Sequence, residues 1–162
     1  MTEKEKLEIA ACSTFLVTYN RDSKSDFKID DDRDKKDKPD LLIKDSKTEE
    51  VIGVEVSHLY YDKKEAKMLL GRSTEKNHGL MNSDSAIKEL NSLLNKKVKQ
   101  AENYNYDKKL FLVIRVTLII FNKDTFDMFN DKITIPENNF DQIWLNFYDR
   151  SIQDWGVLKK LQ

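Results

Sequence analysis

The chain has 162 residues, 39 % hydrophobic and 35 % charged, which is enough for one domain, 1–162, with its own core under a heavily charged surface. Its 28 Lys+Arg against 29 Asp+Glu leave a net charge of −1, which excludes wholesale attraction to nucleic acid and confines such a role to local basic patches. One cysteine excludes an internal disulfide framework or a cysteine-built zinc site, no apolar run approaches the roughly 20 residues of a membrane span, and Met1–Lys6 is too charged and acidic for a secretory signal, so a cytoplasmic protein is expected.

Thr2-x-x-Glu5 reads as a capping box opening a helix over about Thr2 to Asn20. Leu7, Ala10, Ala11, Thr14, Phe15 and Thr18 fall at helical spacing, with Glu8 on the edge of that face and Cys12 expected as a small core residue. The segment from Arg21 to Lys38 is dense in charge and is expected to be a solvated loop, with a short strand within Asp26 to Asp30. Its acids mimic a calcium loop but lack the glycine and closing glutamate of that pattern.

Leu41 to Lys44 and Val51 to Ser57 read as two strands joined by the polar turn Asp45–Glu50. In the second, Ile52, Val54 and Val56 share one face, and Gly53, Glu55 and Ser57 the other. A carboxylate inside an apolar strand is costly to bury without a partner. Asp40, after Pro39 at the start of the first strand, and Glu55 in the next therefore suggest a divalent-metal pair, the alternative being two ordinary surface acids.

Asp62 to Leu70 has helix-forming composition and ends at the breaker Gly71; Arg72 to Ser83 reads as irregular. A strong helix is predicted over about Ser85 to Tyr104, with Ile87, Leu90, Leu94, Val98 and Ala101 as its apolar stripe and Lys97, Gln100 and Tyr104 along one flank. Lys88, Lys96, Lys97 and Lys99 form either a solvated face or a phosphate-contacting one. Leu110 to Phe121 reads as a central, doubly covered strand interrupted by Arg115, which is expected to pair with a buried acid. Ile133–Ile135 and Ile143–Tyr148 are further strand candidates, and Asp149–Gln162 a short helix. Trp144, Phe147, Tyr148 and Trp155 suggest core or dimer packing rather than base stacking. His58 reads as a structural or surface histidine, or else a general base; His78 lacks the partner pattern of a histidine nuclease motif.

The order helix, two or three antiparallel strands, helix, central strand, carrying Pro39-Asp40, Gly53-Val54-Glu55-Val56-Ser57 and Gln100-Ala101-Glu102-Asn103-Tyr104, resembles the PD-(D/E)xK nuclease superfamily over roughly Thr2 to Phe121. The last segment resembles the Q-x-x-x-Y signature of its RecB-like branch. The resemblance implies an α/β restriction-endonuclease-like core, with a mixed central sheet of about four to five strands flanked by helices. It implies a metal-dependent nuclease for DNA or RNA, with Mg2+ (or Mn2+) on Asp40 and Glu55, Glu8 as a further acid, and the Val56 carbonyl as another oxygen. Gln100 and Tyr104 would position the site or the nucleic-acid backbone. The family's lysine two positions after the strand acid is Ser57 here, which can hydrogen-bond a water but carries no positive charge. Lys63, Lys64, Lys67 or Lys97, the candidate nucleic-acid contacts, would replace it; otherwise the site works without a lysine. The alternative is an inactive nuclease-fold interaction module, of the kind of a phage-type inhibitor or immunity factor, with a protein partner or a homodimer. Compact domains of this kind resemble those carried by prophages and mobile elements.

Overall fold

The Thr2 hydroxyl accepts from the Glu5 amide and the Glu5 carboxylate accepts from the Thr2 amide, so the expected capping box starts helix α1, Glu3–Ser23. The computed structural model describes residues 1–33, 38–60, 83–117 and 120–162. The expected helix over Asp62–Leu70, the irregular Arg72–Ser83 stretch, and Lys63, Lys64, Lys67 and His78 lie largely or wholly outside the described residues. The buried face of α1 is rotated from the predicted one: Leu7 and Ala10 are exposed, while Glu8, Ala11, Cys12, Phe15, Leu16 and Thr18 are buried. Burial of Cys12 pushes its thiol up to about 12, as fits an inert core residue.

Strands β1 (Phe27–Ile29), β2 (Leu41–Asp45) and β3 (Val51–Leu59) form an antiparallel meander. The β2–β3 turn is held by Asp45, whose carboxylate accepts from the Lys47 amide and the Thr48 hydroxyl. Helix α2 (Ser83–Ala101) follows, then β4 (Leu110–Val116), parallel to β3. Strand β5 (Gln142–Asp149) runs parallel to β4, and β6 (Asp154–Lys160) returns antiparallel along it. The architecture is thus α/β, with a mixed sheet of six strands in the order β1-β2-β3-β4-β5-β6, more than the four to five expected.

Alternation along the strands splits the core. Ile52, Val54, Val56, Phe111 and Val113 meet α1; Leu59, Leu110, Leu112, Ile114, Ile143 and Leu145 meet the α2 stripe Ile87, Leu90, Leu94, Val98 and Ala101, all buried as predicted. Strand β4 is covered on both faces as expected but ends at Val116.

Two expectations are corrected. The tail is not helical: Asp154–Lys160 is a strand, because the half-buried Trp155, Val157 and Leu158 pair with β5 across a turn whose Gln153 has φ 52°. Ile133–Ile135 is not a strand, although Ile133 and Ile135 pack on the α2 side of the core. Between them and β4 lies an unpredicted short helix, α3 (Lys123–Met128), capped by Asn122 and buried through Phe126. No described helix is long and apolar enough to cross a membrane.

Candidate metal centre

The β2–β3 register, with Leu41 opposite Val54, carries Asp40 to a position opposite Glu55. The Asp40 amide donates to Glu55 Oε2 at 3.3 Å, and Asp40 Oδ2 accepts from the Val56 amide at 3.0 Å. Each acid is thus clamped by the other's strand, and both side chains are buried, at 6 % and 1 % exposure. This is a built pair rather than two surface acids.

A cation sits on it. Lys38 Nζ lies 2.7 Å from Asp40 Oδ1 and 3.3 Å from Glu55 Oε1. Lys97, from the outer turn of α2, reaches Glu55 Oε1 at 3.7 Å. Tyr104, beyond the end of α2, donates its hydroxyl to Glu55. Burial and the neighbouring Asp40 charge raise the Glu55 pKa, against the lowering pull of Lys38 and Lys97. Burial alone would depress Lys38, but its hydrogen bond to Asp40 and the Glu55 charge outweigh it and the pKa is raised.

Glu8 is buried on α1, and its pKa is raised by burial and then by Asp40, so it lies within electrostatic reach of the pair; its Oε1 is 3.5 Å from Lys4 Nζ. Among the described residues no three His, Cys, Asp or Glu side chains form a set that would hold a metal ion by themselves. The donor set that remains, two carboxylates with the Val56 carbonyl turned to the same edge as its amide, suits a hard divalent ion that keeps several waters. The Lys38 ammonium is the stand-in that marks where a cation is favoured.

The other predicted site residues sort by position. Ser57 is buried on the Glu55 face and lines a groove of about 950 Å³ between α1 and α2, together with Glu8, His58 and Lys97. Gln100 is exposed on α2, while Tyr104, the other half of the Q-x-x-x-Y signature, turns inward. Among the described residues Arg115 pairs with no buried acid; its guanidinium stacks on Trp155 at 4.5 Å. Phe147 is core, Trp144 packs on Phe15 and Tyr19, and Tyr148 meets Trp155 edge-on, so the aromatic group is internal packing.

His58 lies beside Arg115 in the β3–β4 register. Burial and the charges of Arg115 and Lys97 lower its pKa to about 4, with Asp40 opposing. The unfolded imidazole takes up its proton near pH 6.5, the folded one near 4, so the neutral form's contribution is complete above 6.5 and is lost as pH falls through that interval. His58→Gln is expected to lose less melting temperature than the parent between pH 6.5 and 4; equal losses would refute this source of acid sensitivity.

Sequence reasoning missed Lys38, and also the pair that places it. Asp31, expected in a solvated loop, has a side chain only 2 % exposed; it accepts from Arg33 and from the Leu42 amide. Arg33 also donates to the carbonyls of Lys38 and Pro39. Arg33→Ala would leave Asp31 buried with weaker compensation and release the segment before Asp40. The expected cost is about 2–3 kcal/mol in denaturant unfolding, below the range for a fully enclosed pair because Arg33 is partly exposed. A loss within 0.5 kcal/mol, as is usual for ordinary surface substitutions, would return the run to a solvated loop.

No family model, curated protein or solved structure matches the chain.

Proposed function

We propose that the chain is a metal-dependent phosphodiesterase acting on DNA or RNA, built on a restriction-endonuclease-like core. The supporting observation is the mutually clamped Asp40–Glu55 pair, with Lys38 and Lys97 on its carboxylates. The order α1, three antiparallel strands, α2 and a parallel β4 also supports it, with β5 and β6 added beyond that core.

Bound there, Mg2+ or Mn2+ would polarise the scissile phosphate and lower the pKa of an attacking water. Asp40 Oδ1 and Glu55 Oε1 are the oxygens turned toward the cation position; the amides of Val56 and Asp40 hold the opposite oxygens and fix both planes. Tyr104 and Lys97 orient Glu55 from the α2 side. Lys97 supplies the positive charge that Ser57 lacks. Ser57 also lines the groove flanked by Lys96 and Lys97, and the strand leaving the cut would follow it.

The second reading, an inactive nuclease-fold module, draws on one observation: the site neutralises itself with its own lysines. Digestion of plasmid DNA and of RNA with magnesium or manganese, beside Asp40→Ala and Glu55→Ala, separates the two. Cleavage by the parent alone supports the nuclease; equal products from all three proteins, or none from any, sinks it.

A further inference from the structure

The cation position holds an ammonium tethered to the chain itself. We propose that Lys38 competes with the divalent ion for the Asp40–Glu55 pair, and that nucleic acid promotes metal loading by drawing this ammonium onto its phosphate. The inference rests on the nuclease reading and adds a coupling between its two ligands.

Three features carry it. Lys38 Nζ touches both carboxylates, at 2.7 Å and 3.3 Å, which places it where an ion shared by those oxygens would sit. A divalent ion and an ammonium cannot share that space, since like charges a few ångströms apart repel strongly in a poorly solvated site. Lys97 differs: it reaches one carboxylate only, at 3.7 Å, and can stay beside a bound ion.

Second, Lys38 can leave without dragging its ligand-bearing neighbour. Arg33 holds the carbonyls of Lys38 and Pro39, so the backbone is anchored, while the Lys38 side chain is 41 % exposed on a flexible four-carbon stem. The ammonium moves outward, to the mouth where a phosphate would arrive.

Third, charge balance sets the sign of the coupling. Two carboxylates and two ammonium groups neutralise each other without metal. A divalent ion adds two positive charges, and each phosphodiester brings one negative charge to the displaced Lys38. Nucleic acid and metal therefore each favour the other's binding, to the same degree.

The test is Mn2+ binding, by calorimetry, to the full chain and to Lys38→Met, each with and without a cleavage-resistant phosphorothioate oligonucleotide. Lys38→Met alone is expected to bind Mn2+ about tenfold tighter than the parent; the oligonucleotide is expected to tighten the parent about tenfold and the variant less than about twofold. Lys38→Arg, which keeps the charge, should retain the coupling and guards against a folding defect in the methionine variant. Equal Mn2+ affinity of parent and Lys38→Met overturns the competition, and coupling that persists in Lys38→Met overturns the loading role. Binding by the parent that is lost in Asp40→Asn would leave the metal-site reading standing in either case. Folded proteins that bind no Mn2+ in any form overturn both.

Discussion

Asp40→Ala and Glu55→Ala are each expected to lower magnesium-dependent cleavage by about 10³-fold or more, since several kcal/mol of transition-state stabilisation is at stake in a catalytic ion and each 1.36 kcal/mol is tenfold in rate. Alanine alone does not distinguish chemistry from folding, because Asp40 Oδ2 also ties down the Val56 amide and Glu55 Oε2 the Asp40 amide. Glu55→Gln makes the distinction. The raised pKa of Glu55 means that burial and Asp40 disfavour its charge more than Lys38 and Lys97 favour it. A neutral amide of the same size keeps one acceptor oxygen, so it is expected to fold with a loss of no more than about 1–3 kcal/mol for the donor left without its partner, while losing Mn2+ binding and cleavage together. Full cleavage by Glu55→Gln would remove Glu55 from the site; a collapse of its melting temperature would assign the residue to the fold instead.

The second large effect is expected at a residue with no functional group. A Cβ built on Gly53 comes within 2.5 Å of Pro39 Cγ and 2.8 Å of the Tyr106 ring. Both contacts press on the approach to the site, since Pro39 immediately precedes Asp40. Gly53→Ala is expected to cost about 3 kcal/mol, the upper part of the overpacking range, because a proline ring cannot rotate away. It should also push Pro39 and Asp40 off β3. Denaturant unfolding reads the first effect and Mn2+ affinity the second. A stable variant with parental Mn2+ binding would show that the β2 entrance is not held by this contact. The residue that makes room for the carboxylate pair is the small one on the same face of β3.

What could be read from the chain depended on whether a signal was local. The Thr2–Glu5 box, the α2 stripe and the alternation of Val51–Ser57 are patterns one element carries alone, and each formed as expected. The Asp40–Glu55 pair was legible because a short polar turn fixes hairpin register. Strand β6 was not, because Asp149–Gln162 has no strong period and becomes extended only by pairing with β5. Lys38 and Asp31 were hidden in a run where every charge looks alike; what sets them apart is a partner in β2 or β3. Gln100 and Tyr104 share a motif, yet only the tyrosine, past the last turn, swings back to Glu55.

The hydrogen bond from Thr18 Oγ1 to the Gly156 carbonyl, 2.6 Å long, joins residues 138 positions apart. Helix α1 therefore completes its docking only after β6 exists, although Glu8, Asp40, Glu55, Lys97 and Tyr104 all precede β4. On a ribosome, the meander could pair long before α1 is seated on the Ile52, Val54 and Val56 face of β3. Contacts of such separation close late, since loop entropy must be met before they form. The hairpin β5–β6 holds none of the proposed ligands, yet it governs when the face of β3 behind Glu55 is covered, so a growing chain would keep one side of its sheet open until its last strand is made.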